Sequence, residues 1–363
     1  MPAVPLRATF IQRYREAQSG SPSRGRKGST MTVPGARHTF LWFAVYVLAL
    51  ALIGRALIGW IGPYYAQILI FIGINIILAV SLNLVLGFAG QFSIGHAGFM
   101  ALGGYTAAAL SFYVLAPALA AGIGAGALSG IFANAALAVA LLVGGIAAAI
   151  AGLLVGIPTL RLRGDYLAIA TLGMGEIIRV VILNTDFVGG ARGFTDIPRW
   201  TTFTWVFLVA GLCVVVVRNL VASTPGRSLI ALREDEDAAA AMGINTTRYK
   251  VFAFVLGAFF AGIAGGLQAH YMQYLHTNSF TFLRSIEIIV FVVLGGGGSI
   301  TGSIIAATVL TILPEFLRVA QSWRMVLYSA LLIVMMLTRP QGLMGGREFQ
   351  WQWLLPRRWL KQG

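Results

Sequence analysis

Tyr65-Ala-Gln-Ile-Leu-Ile-Phe-Ile-Gly-Ile-Asn-Ile-Ile-Leu-Ala-Val-Ser-Leu-Asn-Leu-Val-Leu-Gly-Phe88 carries no charged side chain, and it lies inside a run from Ala56 to Leu160 that has none over 105 positions. About 20 apolar residues suffice to cross the hydrocarbon of a bilayer, so this run alone holds several crossings. The rest of the chain has the same character. Of 363 residues, 58% are hydrophobic and 10% charged, against about 25% charged in soluble domains. Water is not the solvent for most of this chain. That excludes a soluble enzyme, a disordered chain and a protein with a single membrane anchor. The abundant glycine (44 residues) and 11% aromatics suit closely packed membrane helices. The expected fold is all-α, a polytopic transmembrane helical bundle.

The apolar stretches segment into about 10 spans: 40–61, 65–88, 96–117, 130–156, 165–184, 202–218, 250–272, 285–300, 302–317 and 325–338. Positive charge orients them. With both termini cytoplasmic, the inner segments hold 19 Lys and Arg and the outer loops five, Arg192, Arg199, Arg284, Arg318 and Arg324. That asymmetry is the one membrane insertion produces. The chain then divides into a basic, disordered arm (1–38), a membrane domain (39–338) with a cytoplasmic loop at 219–249, and a basic tail (339–363). The arm is too long and too polar for the start of an ordinary cleaved signal, so Phe40 onward is expected as a retained span.

Ten of the 14 excess positive charges sit in the arm and tail. Flanking placement suits insertion and anionic lipid headgroups rather than nucleic acid. The single cysteine, Cys213, excludes an intrachain disulfide and a multi-cysteine metal site. Gly20 to Lys27 faintly resembles a phosphate loop, but Arg-Lys-Gly stands where Lys-Ser/Thr belongs and no strand precedes it. No nucleotide site, cofactor or metal site is readable, and no catalytic residue is assigned.

Two stretches interrupt the helical pattern. Gly87-Phe-Ala-Gly-Gln-Phe-Ser-Ile-Gly-His-Ala-Gly98 is too glycine-rich for a regular helix. It reads as a short cytoplasmic turn, or as a helix break or re-entrant element buried in protein. Gly295 to Gly302 has the same character, and the pair hints at an internal repeat of the kind transporters carry. Gly262 to Gly266 and Gly126 to Gly130 fit small-residue helix contacts.

The most informative loop is Ala222-Ser-Thr-Pro-Gly-Arg-Ser-Leu-Ile-Ala-Leu-Arg-Glu-Asp-Glu-Asp-Ala-Ala-Ala-Ala-Met-Gly243. Ser223 or Thr224 is placed to cap a helix opened by Pro225, and Gly243 to end it. Leu229, Leu232, Ala239 and Met242 fall roughly on one face, giving one short amphipathic helix. Its acids, Glu234 to Asp237, read either as a solvated connector or as part of a docking element whose alanines admit another chain.

Arg233-Glu-Asp-Glu-Asp-Ala-Ala-Ala-Ala-Met-Gly-Ile244, with Lys250 to Phe254 and Gly262 to Gly266, resembles the coupling loop of LivM-type permeases. These are membrane subunits of branched-chain amino acid ABC importers. The resemblance continues through Ser81-Leu-Asn-Leu84, Gly87 to Gly98, Gly164 to Arg179, Gly189 to Gly193, Ser285 to Glu287, Gly295 to Gly302 and Arg339-Pro-Gln-Gly342. It covers about residues 65–345 in order. Ser303 and Ala306 depart from an expected Pro and Gly, and Ala191-Arg192 from Pro-Asn. The resemblance implies a bacterial inner-membrane subunit working with a second permease, two cytoplasmic ATPases and an extracytoplasmic solute-binding protein. It places ATPase coupling on Arg233, Glu234, Asp235, Glu236, Asp237, Ala238, Ala239, Ala240, Ala241 and Gly243. Permeases for urea and short amides look similar.

Translocation-path candidates are Asn83, Gln91, Ser93, His96, Glu176 and Arg179. Glu176 and Arg179 are three apart on one helical face and can neutralise each other, or act as a gate or solute contact. Gln91, Ser93 and His96 can satisfy backbone at a broken helix or line a solute path. Glu287, near an outer boundary, reads as solvated or capping. The rival reading is a secondary transporter driven by an ion gradient, with Glu176, Glu287 and His96 as its ion-handling groups. It leaves the acidic-alanine loop without a role.

Overall fold

The computed structural model describes residues 62–122, 129–160, 162, 164–318, 323–339, 341–344 and 348. The expected first span at 40–61, the basic arm and most of the tail lie outside these residues. Eleven helices follow in order among those described: α1 (Pro63–Asn83), α2 (His96–Leu110), α3 (Ser129–Thr159), α4 (Asp165–Leu183), α5 (Phe203–Ala222), α6 (Thr224–Glu234), α7 (Glu236–Ala241), α8 (Thr246–Met272), α9 (Phe282–Gly295), α10 (Ile300–Phe316) and α11 (Arg324–Thr338). Wider π turns extend α1 over Leu84–Phe88 and α2 over Ser111–Leu115, and a further helical stretch, Ala116–Gly122, follows the second. The fold is all-helical, apart from one antiparallel bridge between Phe194 and Leu275.

Seven helical segments among the described residues are long and apolar enough to cross a membrane, the last being Thr277–Gly295. This is a polytopic membrane protein. Two of the expected spans are short. The 17 residues of α10 rise about 25 Å at 1.5 Å per residue, below the roughly 30 Å of a hydrocarbon core, and α11 has 15. The expected boundary at residue 301 is also displaced. The chain leaves α9 through Gly296 (φ 101°) and Gly298 (φ 86°), and α10 starts at Ile300 because the Gly302 N–H donates to Ser299 Oγ at 3.0 Å.

α8 is the central helix, packed chiefly on α3 and α2. Lipid tails are as apolar as leucine, so close backbone approach rather than hydrophobic segregation holds such helices together. A Cβ on Gly103 of α2 would overlap the Gly262 backbone of α8. This bears out the packing expected of Gly262 to Gly266. At Gly130 the expectation fails, since nothing lies within 4 Å of its added Cβ; Gly126 is outside the described residues.

Polar ties fix the ends of α8. His270 Nδ1 donates to the Gly266 carbonyl at 2.7 Å, so Ser111 Oγ donates to Nε2 at 2.7 Å. Both side chains are fully buried, and Trp200 stacks on the His270 ring. At the same end of the bundle, the Phe194–Leu275 pair (2.8 and 2.9 Å) joins the α4–α5 and α8–α9 connections.

Candidate functional site

The two glycine-rich interruptions, far apart in sequence, meet in space. α1 widens into its π turn after Asn83, with Ala89 N–H reaching Leu84 O and Gln91 N–H reaching Val85 O. The chain then runs without regular secondary structure until α2 begins at His96. This is a helix break buried in protein, one of the alternatives the sequence left open. Asn83, fully buried, spans the gap to the second break. Its Oδ1 accepts from Gly298 N–H at 2.9 Å, and its Nδ2 donates to the Ser299 carbonyl at 3.0 Å. Only glycine fits at position 87, because a Cβ there would overlap Asn83 Oδ1 and Gly298 N.

Backbone groups left by an interrupted helix must find partners when no water reaches them. Residues on other helices supply these at the first break. Ile94 N–H donates to Thr171 Oγ1 (3.1 Å) and Ala97 N–H to Ser285 Oγ (3.1 Å). Gln91 and Ser93, expected to satisfy the break, are buried at 2% exposure, and neither amide atom of Gln91 has a hydrogen-bond partner among the described residues. His96 turns back to α1. Ser81 Oγ donates to Leu78 O, so it accepts from His96 Nε2 at 2.9 Å. Thr171 and Ser81 lie in stretches that carry the resemblance, yet the sequence assigns them no role, because a hydroxyl on an apolar helix carries no periodic signal.

The 219–249 loop folds as two helices, not one. Asp235 is extended (φ −157°, ψ 111°) and its carboxylate accepts from Asp237 N–H and Ala238 N–H, at 3.0 and 2.9 Å. It is an N-cap in the middle of what the sequence suggested was a continuous helix. Pro225 does lie in the first turn of α6, while Ser223 Oγ bonds back to Leu220 O rather than capping. Gly243 takes φ +84°, as a terminating glycine should. Leu229, Leu232 and Ala239 face inward, but Met242 is 83% exposed. The break at Asp235 rotates the second helix and carries Met242 out of the shared face.

Arg233 ties this loop to the first break. Its Nη1 donates to the Gly87 carbonyl at 2.9 Å, and its Nη2 pairs with Glu234 at 2.6 Å. Lys250, at the start of α8, pairs with Glu236 at 2.6 Å. Glu234, Asp235 and Glu236 therefore each act within the chain. The face left outward is Ala238, Ala240, Ala241 and Met242. Ala239 is buried at 5% and is not part of it.

The tail after α11 completes the second break. Leu343 N–H donates to Leu294 O at 2.7 Å. Glu348 accepts from the Ile300 and Thr301 N–H groups, at 2.5 and 3.2 Å, and from Thr301 Oγ1 at 2.6 Å, an acid at the positive end of α10. Leu343 and Glu348, in the expected tail, thus both contact the α9–α10 turn. Glu176 and Arg179 pair with each other at 2.6 Å on α4 and make no hydrogen bond to the junction among the described residues. Glu287, expected as solvated or capping, is ion-paired to Arg284 at 2.6 Å.

A bundle of membrane-length helices with two paired breaks, and a two-helix cross-piece tied to one of them, defines a polytopic helical membrane protein. The chain belongs to the branched-chain amino acid transport system permease component family, whose model matches residues 64–336. It is 40% identical over 235 residues to the high-affinity branched-chain amino acid transport system permease protein LivM of Salmonella typhimurium, covering 55% of each chain. To LivM of Escherichia coli it is 39% identical over 237 residues, 56% of each. To the permease protein LivH of Salmonella typhimurium it is 29% identical over 168 residues, 45% of this chain and 53% of that one. The chain spans about half the length of the curated relatives it matches. No solved structure matches it.

Proposed function

We propose that this chain is a permease subunit of an ATP-driven importer that moves branched-chain amino acids across a bacterial inner membrane. It works beside a second permease of the same family, two cytoplasmic ATPase subunits and an extracytoplasmic solute-binding protein. The solute is supported by the LivM relatives, whose names specify branched-chain amino acid transport. That the chain also matches LivH supports a second, related permease as partner.

The observation that carries the mechanism is the Arg233–Gly87 contact. The α6–α7 pair lies on the cytoplasmic side and receives the motion of an ATPase through the Ala238, Ala240, Ala241 and Met242 face. Arg233 passes displacement to the first break, and Asn83 passes it to the second. Lys250 carries it to α8. Breaks are suited to this because they bend without rupturing helical hydrogen bonds, so both sets of spans change angle together around a solute path. ATP is hydrolysed in the partners and solute selection is delegated to the binding protein.

The test is uptake of radiolabelled leucine into proteoliposomes. Accumulation should require the ATPase, ATP and the binding protein. Accumulation driven by an ion gradient alone would establish the secondary-transporter reading instead.

A further inference from the structure

Toward the end of α1 remote from Asn83 lies an open cavity of about 420 Å³, lined by residues of α1, α8, α9 and α10. From Gln67 to Asn83 the helix rises about 24 Å and from Asn75 about 12 Å, so the cavity runs from the far end of α1 to its middle. One wall is polar. Arg284 donates from Nη1 to Glu287 Oε2 at 2.6 Å and from Nη2 to Asn75 Oδ1 at 2.7 Å. Asn75 Nδ2 donates onward to Thr311 Oγ1 at 2.9 Å. The Gln268 side chain also lines the cavity, and its buried Oε1 has no hydrogen-bond partner among the described residues. Phe71 and Leu310 supply apolar surface on other sides.

Ionisable groups within membrane helices mark solute pathways more often than they serve structure alone. Mutual neutralisation of Arg284 and Glu287 accounts for the pair. It does not account for a cavity in the size range of small-molecule sites or for an orphaned amide oxygen beside it. The lining also holds Glu315, which pairs with Arg318 at 3.4 Å, so a lone anion or cation would compensate one charge of the Arg284–Glu287 pair and strand the other. A zwitterion offers both charges within one small group and complements both.

We propose that this cavity is the outward binding site for an aliphatic α-amino acid within the membrane domain. The solute carboxylate takes guanidinium N–H groups of Arg284, and its ammonium is shared between Glu287 and Gln268 Oε1. Its side chain lies on Phe71 and Leu310. Because the pair is already formed without solute, binding exchanges contacts rather than adding them, which keeps the site weak enough to release its occupant. The assignment rests on the amino-acid permease reading above.

The experiment uses the assembled importer without its binding protein, carrying Ser279→Cys at the cavity wall; the native Cys213 is fully buried. Alkylation by an impermeant maleimide is followed with leucine, with leucinamide (no carboxylate) and with 4-methylpentanoate (no ammonium). Leucine is expected to slow alkylation about tenfold and each analogue far less, since each lacks one charge-assisted set of hydrogen bonds. Gln268→Met and the partly exposed Glu287→Gln should each weaken the protection at equal yield of complex. Unaltered alkylation in a complex that accumulates leucine with its binding protein overturns the site and leaves the transport reading standing. Equal protection by the analogues, or full protection in Glu287→Gln, overturns the zwitterion assignment. A complex that accumulates no leucine overturns both readings.

Discussion

Asn83 holds Gly298 across 215 residues of chain, its side-chain oxygen accepting the glycine N–H at 2.9 Å. The contact places the last α-helical residue of α1 against the glycine turn between α9 and α10. One side chain therefore fixes the relative position of two helix breaks that no backbone ladder connects.

Asn83→Ala leaves the Gly298 N–H without its partner, at about 1–3 kcal/mol, while the Ser299 carbonyl keeps the Ser303 N–H and Oγ. Melting of the detergent-solubilised protein should shift downward and leucine uptake should fall with it. Asn83→Asp keeps the acceptor but sets a carboxylate oxygen against the Ser299 carbonyl in a fully buried position, so its loss should be at least as large. An unchanged melting profile in Asn83→Ala would show that this bridge contributes nothing to the fold.

Arg233→Ala removes the link between α6 and the Gly87 carbonyl without disturbing the buried Leu229 and Leu232. A lost hydrogen bond from a charged donor is worth about 1.5–3 kcal/mol, so uptake should drop by about tenfold or more. Assembly and ATP hydrolysis should be retained, and the measured ratio of leucine moved to ATP consumed is the readout. Arg233→Lys should recover only part of it, since one ammonium cannot reproduce the guanidinium fork that reaches Gly87 and Glu234 together. A ratio equal to the unmodified complex in Arg233→Ala removes Arg233 from the coupling route.

Neighbouring alanines should behave differently when made bulky. Ala240→Trp is on the exposed face of α7 and should release the ATPase on purification while the permease keeps its melting profile. Ala239→Trp is forced into a buried position and should lower stability by about 1–3 kcal/mol through overpacking. If Ala240→Trp retains its ATPase and transports normally, α6 and α7 are only a connector.

Met242, 83% exposed, provides a probe of orientation. Met242→Cys should stay unmodified by an impermeant maleimide applied to intact cells and react once the membrane is permeabilised. The native Cys213, buried in α5, should give no background. Labelling from outside would reverse the topology and detach the loop from any cytoplasmic ATPase.

The Asp235 kink shows where local reading stops. Leu229, Leu232 and Ala239 were legible as inward positions because burial follows helical spacing from Pro225 onward. Met242 was misplaced because a capping carboxylate within the acidic run restarts the helix at Glu236, and charge alone does not distinguish a cap from a solvated face. Glu348 escaped for a related reason: its partners at Ile300 and Thr301 are 48 and 47 residues away.

By itself the sequence determined the solvent, the fold class and the two glycine-rich places where membrane helices break. Those properties depend on composition, apolar run length and glycine content, all of which are local. Only the tertiary structure decided that the two breaks face each other through Asn83, that Arg233 reaches the first of them, and that Arg284, Glu287 and Gln268 surround one cavity. Each of those pairings joins groups that must satisfy one another because lipid and packed protein offer them no water, and which groups meet is set by how helices remote in sequence pack together.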